Sequence, residues 1–303
     1  MYICSFFKIS ILFIMPTYRG RFAPSPTGPL HFGSLFAAVI SFLEARYNEG
    51  EWFVRIEDID PLREQQGASQ NIINTLSSHG LIADAPIIYQ SNRAKLYQQT
   101  LDQLHKNNFA YACPCSRKYL LTHNGSHTPS CTTKQADITE CAIKFRAPSN
   151  LQEQDQFIWD DKFQGIQTRK LSNDFVLKRK EGFYAYQLAV VCDDISQEIT
   201  HIVRGYDLIE SSPMQLALYL ALDKTPPELA HFPVIAFKNG QKLSKQNKAP
   251  AINSNLALEN LLTVFSILGL KLKYKPDNCK NALDEALENW NPEYLCGKSE
   301  LIP

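Results

Sequence analysis

Two stretches of this sequence place reactive groups at spacings that phosphate chemistry can use. The first is GRFAPSPTGPLHFGSLFAAV, residues 20–39. Gly28 and Gly33 allow backbone to approach a ligand closely, while Pro24, Pro26 and Pro29 stiffen the loop. An apolar helical pattern follows at once. A helix starting near Gly33 would aim its positive end at phosphate, with His31 placed to donate to a phosphate oxygen. The second stretch is QKLSKQ, residues 241–246, where Lys242 and Lys245 lie three apart in a Gly- and Asn-flanked loop. Two flexible ammonium groups there can neutralise charge building on a pyrophosphate leaving group. Taken alone, the first is equally a proline-rich turn with a surface histidine, and the second a solvated basic loop. Together they fit a nucleotide site.

A third cluster suits a metal. Cys113, Cys115, His127 and Cys131 give the spacing C-x-C-x11-H-x3-C. Three thiolates and an imidazole at this spacing suit a closed, tetrahedral, structural Zn2+ site. Reduced cysteines without metal are the competing reading, with Cys141 an alternative thiol and His123 an alternative imidazole. The other cysteines are scattered among the eight in the chain, which argues against a secreted disulfide framework.

The elements that must position these groups follow from pattern. The chain has 303 residues, 44% hydrophobic and 20% charged, with 31 basic and 31 acidic side chains. These values suit a soluble globular protein of one large or two modest domains, and any basic surface must be a local patch. Residues 18–23 read as a strand, 33–47 as a helix, and EWFVRIED (51–58) as a strand ending in acids. Helical patterns follow at 63–80 and 91–108, so the order predicts an α/β fold with a parallel sheet. Residues 110–175 change texture to cysteines, turns and short strands, as an insertion would. Buried-strand character returns over 182–212, and the clearest later helix is 253–270. Residues 1–15 are apolar but interrupted by Lys8 and too short to span a bilayer, so Met15 is read as the true start. The expected divisions are an N-terminal extension (1–18), a first catalytic half (19–109), a zinc-binding insertion (110–175), a second catalytic half (176–250) and a C-terminal helical region (251–303).

PSPTGPLHFGS resembles the HIGH signature of class I aminoacyl-tRNA synthetases, and KLSKQ resembles their KMSKS loop. RFAPSPTGPLHFG followed by VRIEDID is similar to the glutamyl branch, and the likeness covers about residues 19–250. Phe32, Ser34 and Gln246 depart from the usual motifs without touching His31, Gly33 or the lysines. The resemblance implies a Rossmann-like catalytic domain that activates L-glutamate with ATP and Mg2+. His31, Gly33, Lys242 and Lys245 would be catalytic, with His31, Gly33 and Lys245 also binding ATP. It places Arg21, Phe22, Ala23, Pro24, Ser25, Glu57, Tyr186 and Arg204 around the glutamate. The residue types agree: Arg21 and Arg204 suit bidentate carboxylate recognition, Glu57 can take the ammonium group, and Tyr186 supplies a hydroxyl. Taken singly, Glu57 could be a helix-capping acid and Tyr186 a core aromatic.

Within the branch, the tight cysteine spacing is similar to short paralogues, in which a tyrosine usually stands where His127 stands here. The stretch after Pro250 is also too short for the large helical anticodon-binding region of full-length members. That likeness implies transfer of glutamate to the queuosine at the wobble position of tRNA(Asp), by a cytoplasmic monomer with no membrane partner. Two alternatives stay open: a truncated enzyme charging a tRNA 3′ end, and a non-catalytic paralogue that binds tRNA.

Overall fold

A computed structural model describes residues 17–123, 141–146, 156–171, 174–235 and 251–302. Strand β1 (Arg19–Phe22) runs through the proline loop into helix α1 (Phe32–Tyr47), followed by β2 (Glu51–Ile56), α2 (Ala68–Ser78), β3 (Ile88–Tyr89) and α3 (Ala94–Lys106). The middle of the chain holds β4 (Ala110–Cys113), α4 (Arg117–Thr122), β5 (Ala142–Phe145), β6 (Gln156–Asp161), β7 (Gly165–Lys170) and β8 (Val176–Lys178). Next come α5 (Tyr186–Ser196), β9 (His201–Gly205), α6 (Ser212–Ala221), β10 (Glu228–Phe232) and β11 (Val234–Ile235). After the segment 236–250, α7 (Ala257–Ile267), α8 (Cys279–Glu288) and β12 (Glu300–Leu301) complete the fold.

Strands β1, β2 and β3 pair in parallel, and β9, β10 and β6 do the same, with β7 added antiparallel to β6. The two sheets meet where β1 adjoins β9: Thr200 N donates to Arg19 O at 3.0 Å, and Arg19 N donates to Thr200 Oγ1 at 2.8 Å. The sheet grows outward from β1 in one direction and from β9 in the other. The crevice at the carboxyl ends of these two strands is therefore a topological switch point, where open α/β sheets bind ligands. Strands β4, β5 and β8 form a separate antiparallel sheet.

Helix α1 is apolar nearly all round because it is enclosed, which is what such a sequence requires. Leu35, Phe36, Val39, Ile40 and Leu43 join Trp52, Val54 and Ile56 of β2 and Phe232 of β10 in one core. Leu261, Val264, Phe265 and Trp290 of the C-terminal region belong to the same core. A second core gathers Tyr97, Leu188, Val190, Leu218 and Phe145 from α3, α5, α6 and β5. No helix among the described residues is long and apolar enough to cross a membrane.

Several element boundaries differ from the sequence-based expectations, for identifiable reasons. The stretch 182–212 contains helix α5, with the strand confined to His201–Gly205. A short apolar run such as LAVVC is buried on all sides, so its periodicity does not separate helix from strand. The helix expected over 63–80 starts only at Ala68, because Gly67 precedes it with φ 78°, a left-handed conformation that interrupts helical backbone. Strand β6 lies inside the stretch set aside as an insertion, yet it pairs with β10 in the main sheet.

Candidate active site

The loop leaving β1 is fixed by the strand beside it. Pro24 O accepts from Glu57 N at 2.9 Å and Pro26 O from Gln65 N at 3.0 Å, which ties the loop to the exit of β2. Gly28 adopts φ 139°, a conformation L side chains rarely take, and this lets the chain double back into α1. His31 is the N-cap residue: its Nδ1 accepts from Ser34 N at 3.3 Å, and Ser34 Oγ lies 3.0 Å from Nε2. The imidazole thus stands at the positive end of a sixteen-residue helix, beside backbone N–H groups that suit an anion. Lys242 and Lys245 lie outside the described residues. The flanks of their segment are described: it leaves β11 at Ile235, in the cleft wall, and Ala251 bridges to His31 while Ile252 N donates to Leu30 O at 2.9 Å.

A cleft of about 350 Å³ opens at the switch point. Arg21, Phe22, Ala23, Pro24, Ser25, Tyr186 and Arg204 all line it, together with His31 and Gly33. Glu57 instead lines an adjoining recess of about 150 Å³ that shares Ser25, Thr27 and Tyr186 with the cleft. Residues from β1, α1, α5 and β9, far apart in sequence, are therefore brought to one crevice.

Beneath the cleft, charge is organised in two buried systems. Arg21 donates from Nε and Nη2 to the two carboxylate oxygens of Asp194, at 3.1 and 3.3 Å. Arg55 donates from Nη1 to Asp194 Oδ1 at 2.8 Å and lies 3.8 Å from Glu57 Oε1. Burial works against charge on Asp194, but Arg21 and Arg55 outweigh it and hold its carboxyl below the usual range. Asp193 beside it accepts from Gln90, Arg93 and Tyr97, anchoring α5 to α3. Glu57 is buried and gains less from its partners, so burial pushes its carboxyl up to about 7 despite the Arg55 and Arg21 charges. Tyr186 is likewise pushed above the ordinary phenol value, by burial and then by Glu57.

The second system surrounds Arg204, which is 5% exposed. Its Nε donates to His231 Nε2 at 2.9 Å, Nη1 to Gln215 Oε1 at 2.7 Å and Nη2 to Ser212 Oγ at 2.8 Å. His231 Nδ1 in turn pairs with Asp161 Oδ2. No carboxylate among the described residues hydrogen-bonds to Arg204, and burial holds its pKa below the usual arginine value. Sequence reasoning missed Arg55, Asp193, Asp194, Asp161 and His231. The one available signal was CDD at 192–194, a pair of acids ending an apolar run and therefore candidates for burial with partners.

Of the expected zinc ligands, Cys113 ends β4 and Cys115 lies just beyond it, whereas His127 and Cys131 are outside the described residues. Cys141 immediately precedes Ala142, the register partner of Cys113, so this alternative thiol enters at the same end of the ladder. Among the described residues no three His, Cys, Asp or Glu side chains converge as a metal site.

The family model described as tRNA synthetases class I (E and Q), catalytic domain, matches residues 17–273. A protein named glutamyl-Q tRNA(Asp) synthetase from Idiomarina loihiensis is 44% identical over 280 residues, covering 90% of this chain and 96% of its own. A protein of the same name from Shewanella frigidimarina is 41% identical, covering 95% of this chain and 98% of its own. The fold is similar to that of a glutamate tRNA ligase from Elizabethkingia meningosepticum, with TM-score 0.75 and 24% identity over 94% of this chain and 67% of that one. The chain belongs to the glutamyl-Q tRNA(Asp) synthetase family of class I tRNA synthetases, and it is a ligase.

Proposed function

We propose that this ligase joins L-glutamate to AMP, with release of pyrophosphate from ATP, and then transfers the glutamyl group to a hydroxyl of queuosine in the anticodon loop of tRNA(Asp). The observation that carries the amino-acid half is Arg204. It is a buried guanidinium in the wall of the cleft whose hydrogen-bond partners are all formally neutral. A buried charge of this kind is costly until an anion meets it, and a substrate carboxylate supplies one.

The remaining roles follow from position. Glutamate lies among Arg21, Phe22, Ala23, Pro24, Ser25, Tyr186 and Arg204, with its ammonium group toward Glu57, where the recess adjoins the cleft. Its carboxylate attacks the α-phosphorus of ATP in line, forming one P–O bond as the bond to pyrophosphate breaks. His31, Gly33 and the start of α1 stabilise the phosphate charge, while Lys242 and Lys245 neutralise charge on the leaving pyrophosphate. Positioning supplies much of the rate, and no protein nucleophile is needed. Mg2+ accompanying ATP contributes further charge neutralisation. A structural Zn2+ is assigned to Cys113, Cys115, His127 and Cys131, and thiols two apart at a strand end fit half of such a donor set. The chain is read as two catalytic halves, an insertion whose strand β6 joins the main sheet, and a C-terminal helical region, acting as a monomer in the cytoplasm.

The deciding experiment offers tRNA(Asp) that lacks a 3′-terminal diol but retains queuosine. Glutamate transfer to that RNA is the expected result. Transfer only to RNA with an intact 3′ diol would show a truncated enzyme charging the acceptor end. Absence of glutamate-dependent ATP–pyrophosphate exchange would show a non-catalytic paralogue.

A further inference from the structure

We propose that His231, held by Asp161, is a positioning residue for glutamate binding: its Nε2 fixes the guanidinium plane of Arg204. The inference rests on the reading of Arg204 as the substrate carboxylate's partner, and the test below separates the two.

The geometry defines the proton positions. Arginine only donates, so His231 Nε2, 2.9 Å from Arg204 Nε, must be an acceptor. The ring proton therefore sits on Nδ1, where Asp161 Oδ2 accepts it. Asp161 is held in turn: its Oδ1 accepts from the backbone N–H groups of Phe163 at 3.2 Å, Gln164 at 3.1 Å and His231 at 2.9 Å. Both side chains are fully buried. Arg204 also donates to Gln215 and Ser212 from its two terminal nitrogens. Three of its five N–H donors are thereby used inside the protein, leaving one on each terminal nitrogen for a ligand. A carboxylate takes such a pair together. The Asp161–His231 pair thus selects one tautomer, and that tautomer holds the side chain that meets substrate, as second-layer partners do at other binding sites.

Glutamate-dependent ATP–pyrophosphate exchange tests this with four substitutions, two of them also combined. Asp161→Asn keeps an oxygen for the three backbone donors but presents an amide N–H to His231 Nδ1. Either His231 Nδ1–H then faces that amide, or the proton moves to Nε2 and faces Arg204. The expected result is a rise of about tenfold or more in KM for glutamate, the scale of one charged hydrogen bond, with KM for ATP changed less than about twofold. His231→Gln retains an acceptor that can meet Arg204 Nε and carries no ring proton. Adding it to Asp161→Asn should therefore restore most of the glutamate affinity. A role limited to stability predicts the opposite, since two core substitutions would compound. A double variant no better than Asp161→Asn overturns the proposal, as does an unchanged glutamate KM in Asp161→Asn. If Asp161→Asn does not fold, His231→Leu against His231→Gln gives the same comparison, acceptor lost against acceptor kept. Arg204→Ala separates the underlying reading. A raised glutamate KM there beside an unchanged one in Asp161→Asn rejects only the positioning role, whereas no effect in Arg204→Ala rejects both.

Discussion

Arg21 and Asp194 close on one another through two hydrogen bonds, Nε to Oδ1 at 3.1 Å and Nη2 to Oδ2 at 3.3 Å, with both side chains at most 5% exposed. This changes what Arg21 contributes. A residue expected from its type to grip a free carboxylate already grips one from the protein, and it faces the cleft from a fixed position. The two guanidinium groups in the cleft wall therefore differ: Arg21 is already paired with a carboxylate, whereas the buried Arg204 bonds only to formally neutral groups among the described residues. Asp194 also accepts from Arg55, so one carboxylate holds two guanidinium groups on neighbouring strands.

Asp194→Asn should accordingly be a severe change. It leaves Arg21 and Arg55 buried with their main counter-charge removed, a class of loss that typically costs about 3–5 kcal/mol. Denaturant unfolding of the purified variant checks this, and a loss below about 1 kcal/mol, the scale of an exposed pair, would count against the network described here.

The parts of the site that were legible in the sequence were those written locally. The proline loop, Gly28, His31 and the apolar helix behind them occupy consecutive positions, and their roles follow from backbone conformation and the helix terminus. The parts that were not legible are pairings over long separations: Arg21 with Asp194 spans 173 residues and Asp161 with His231 spans 70. Nothing local distinguishes His231 in ELAHF from an ordinary strand residue, because its meaning comes from the strand that β10 happens to neighbour. The same limit explains β6, whose place in the main sheet is set by its partner β10 and not by its own alternation.

Besides shared apolar packing, a buried acid of α1 ties that helix to the C-terminal region. Glu44 is fully buried, pairs with Lys162 and accepts from Trp290 Nε1 at 2.9 Å. Trp290→Phe keeps most of the apolar contact and removes only the donor. It should cost about 1–3 kcal/mol, the penalty for leaving a buried carboxylate under-satisfied. Thermal unfolding reads the loss, and Glu44→Gln with Trp290→Phe should cost less than the sum of the single changes.

Metal content tests the cysteine assignment. One zinc per chain is expected by elemental analysis, and Cys131→Ser should lose most of it. Full stoichiometric zinc in that variant would mean that Cys141 or another group completes the site.

Glu57 gives the last and most direct prediction, because its burial has a measurable sign. Its carboxyl is raised to about 7 by burial, with Arg55 and Arg21 opposing that rise only in part. Below this value it is protonated and neutral; above it, it is an anion able to meet an ammonium group. In the folded chain the group holds a proton that the unfolded chain releases in the ordinary carboxylate range. Its contribution to stability is therefore complete at low pH and is lost as pH rises from that range through about 7. Substrate binding runs the other way. KM for glutamate should fall as pH is raised across about 7 and then level off, while KM for ATP stays flat through the same window. Glu57→Gln should abolish the break and leave a high glutamate KM at every pH. The same variant should remove the corresponding decline in unfolding free energy. A glutamate KM profile in the variant that still breaks near 7 would assign the titration to another group and take Glu57 out of the ammonium site.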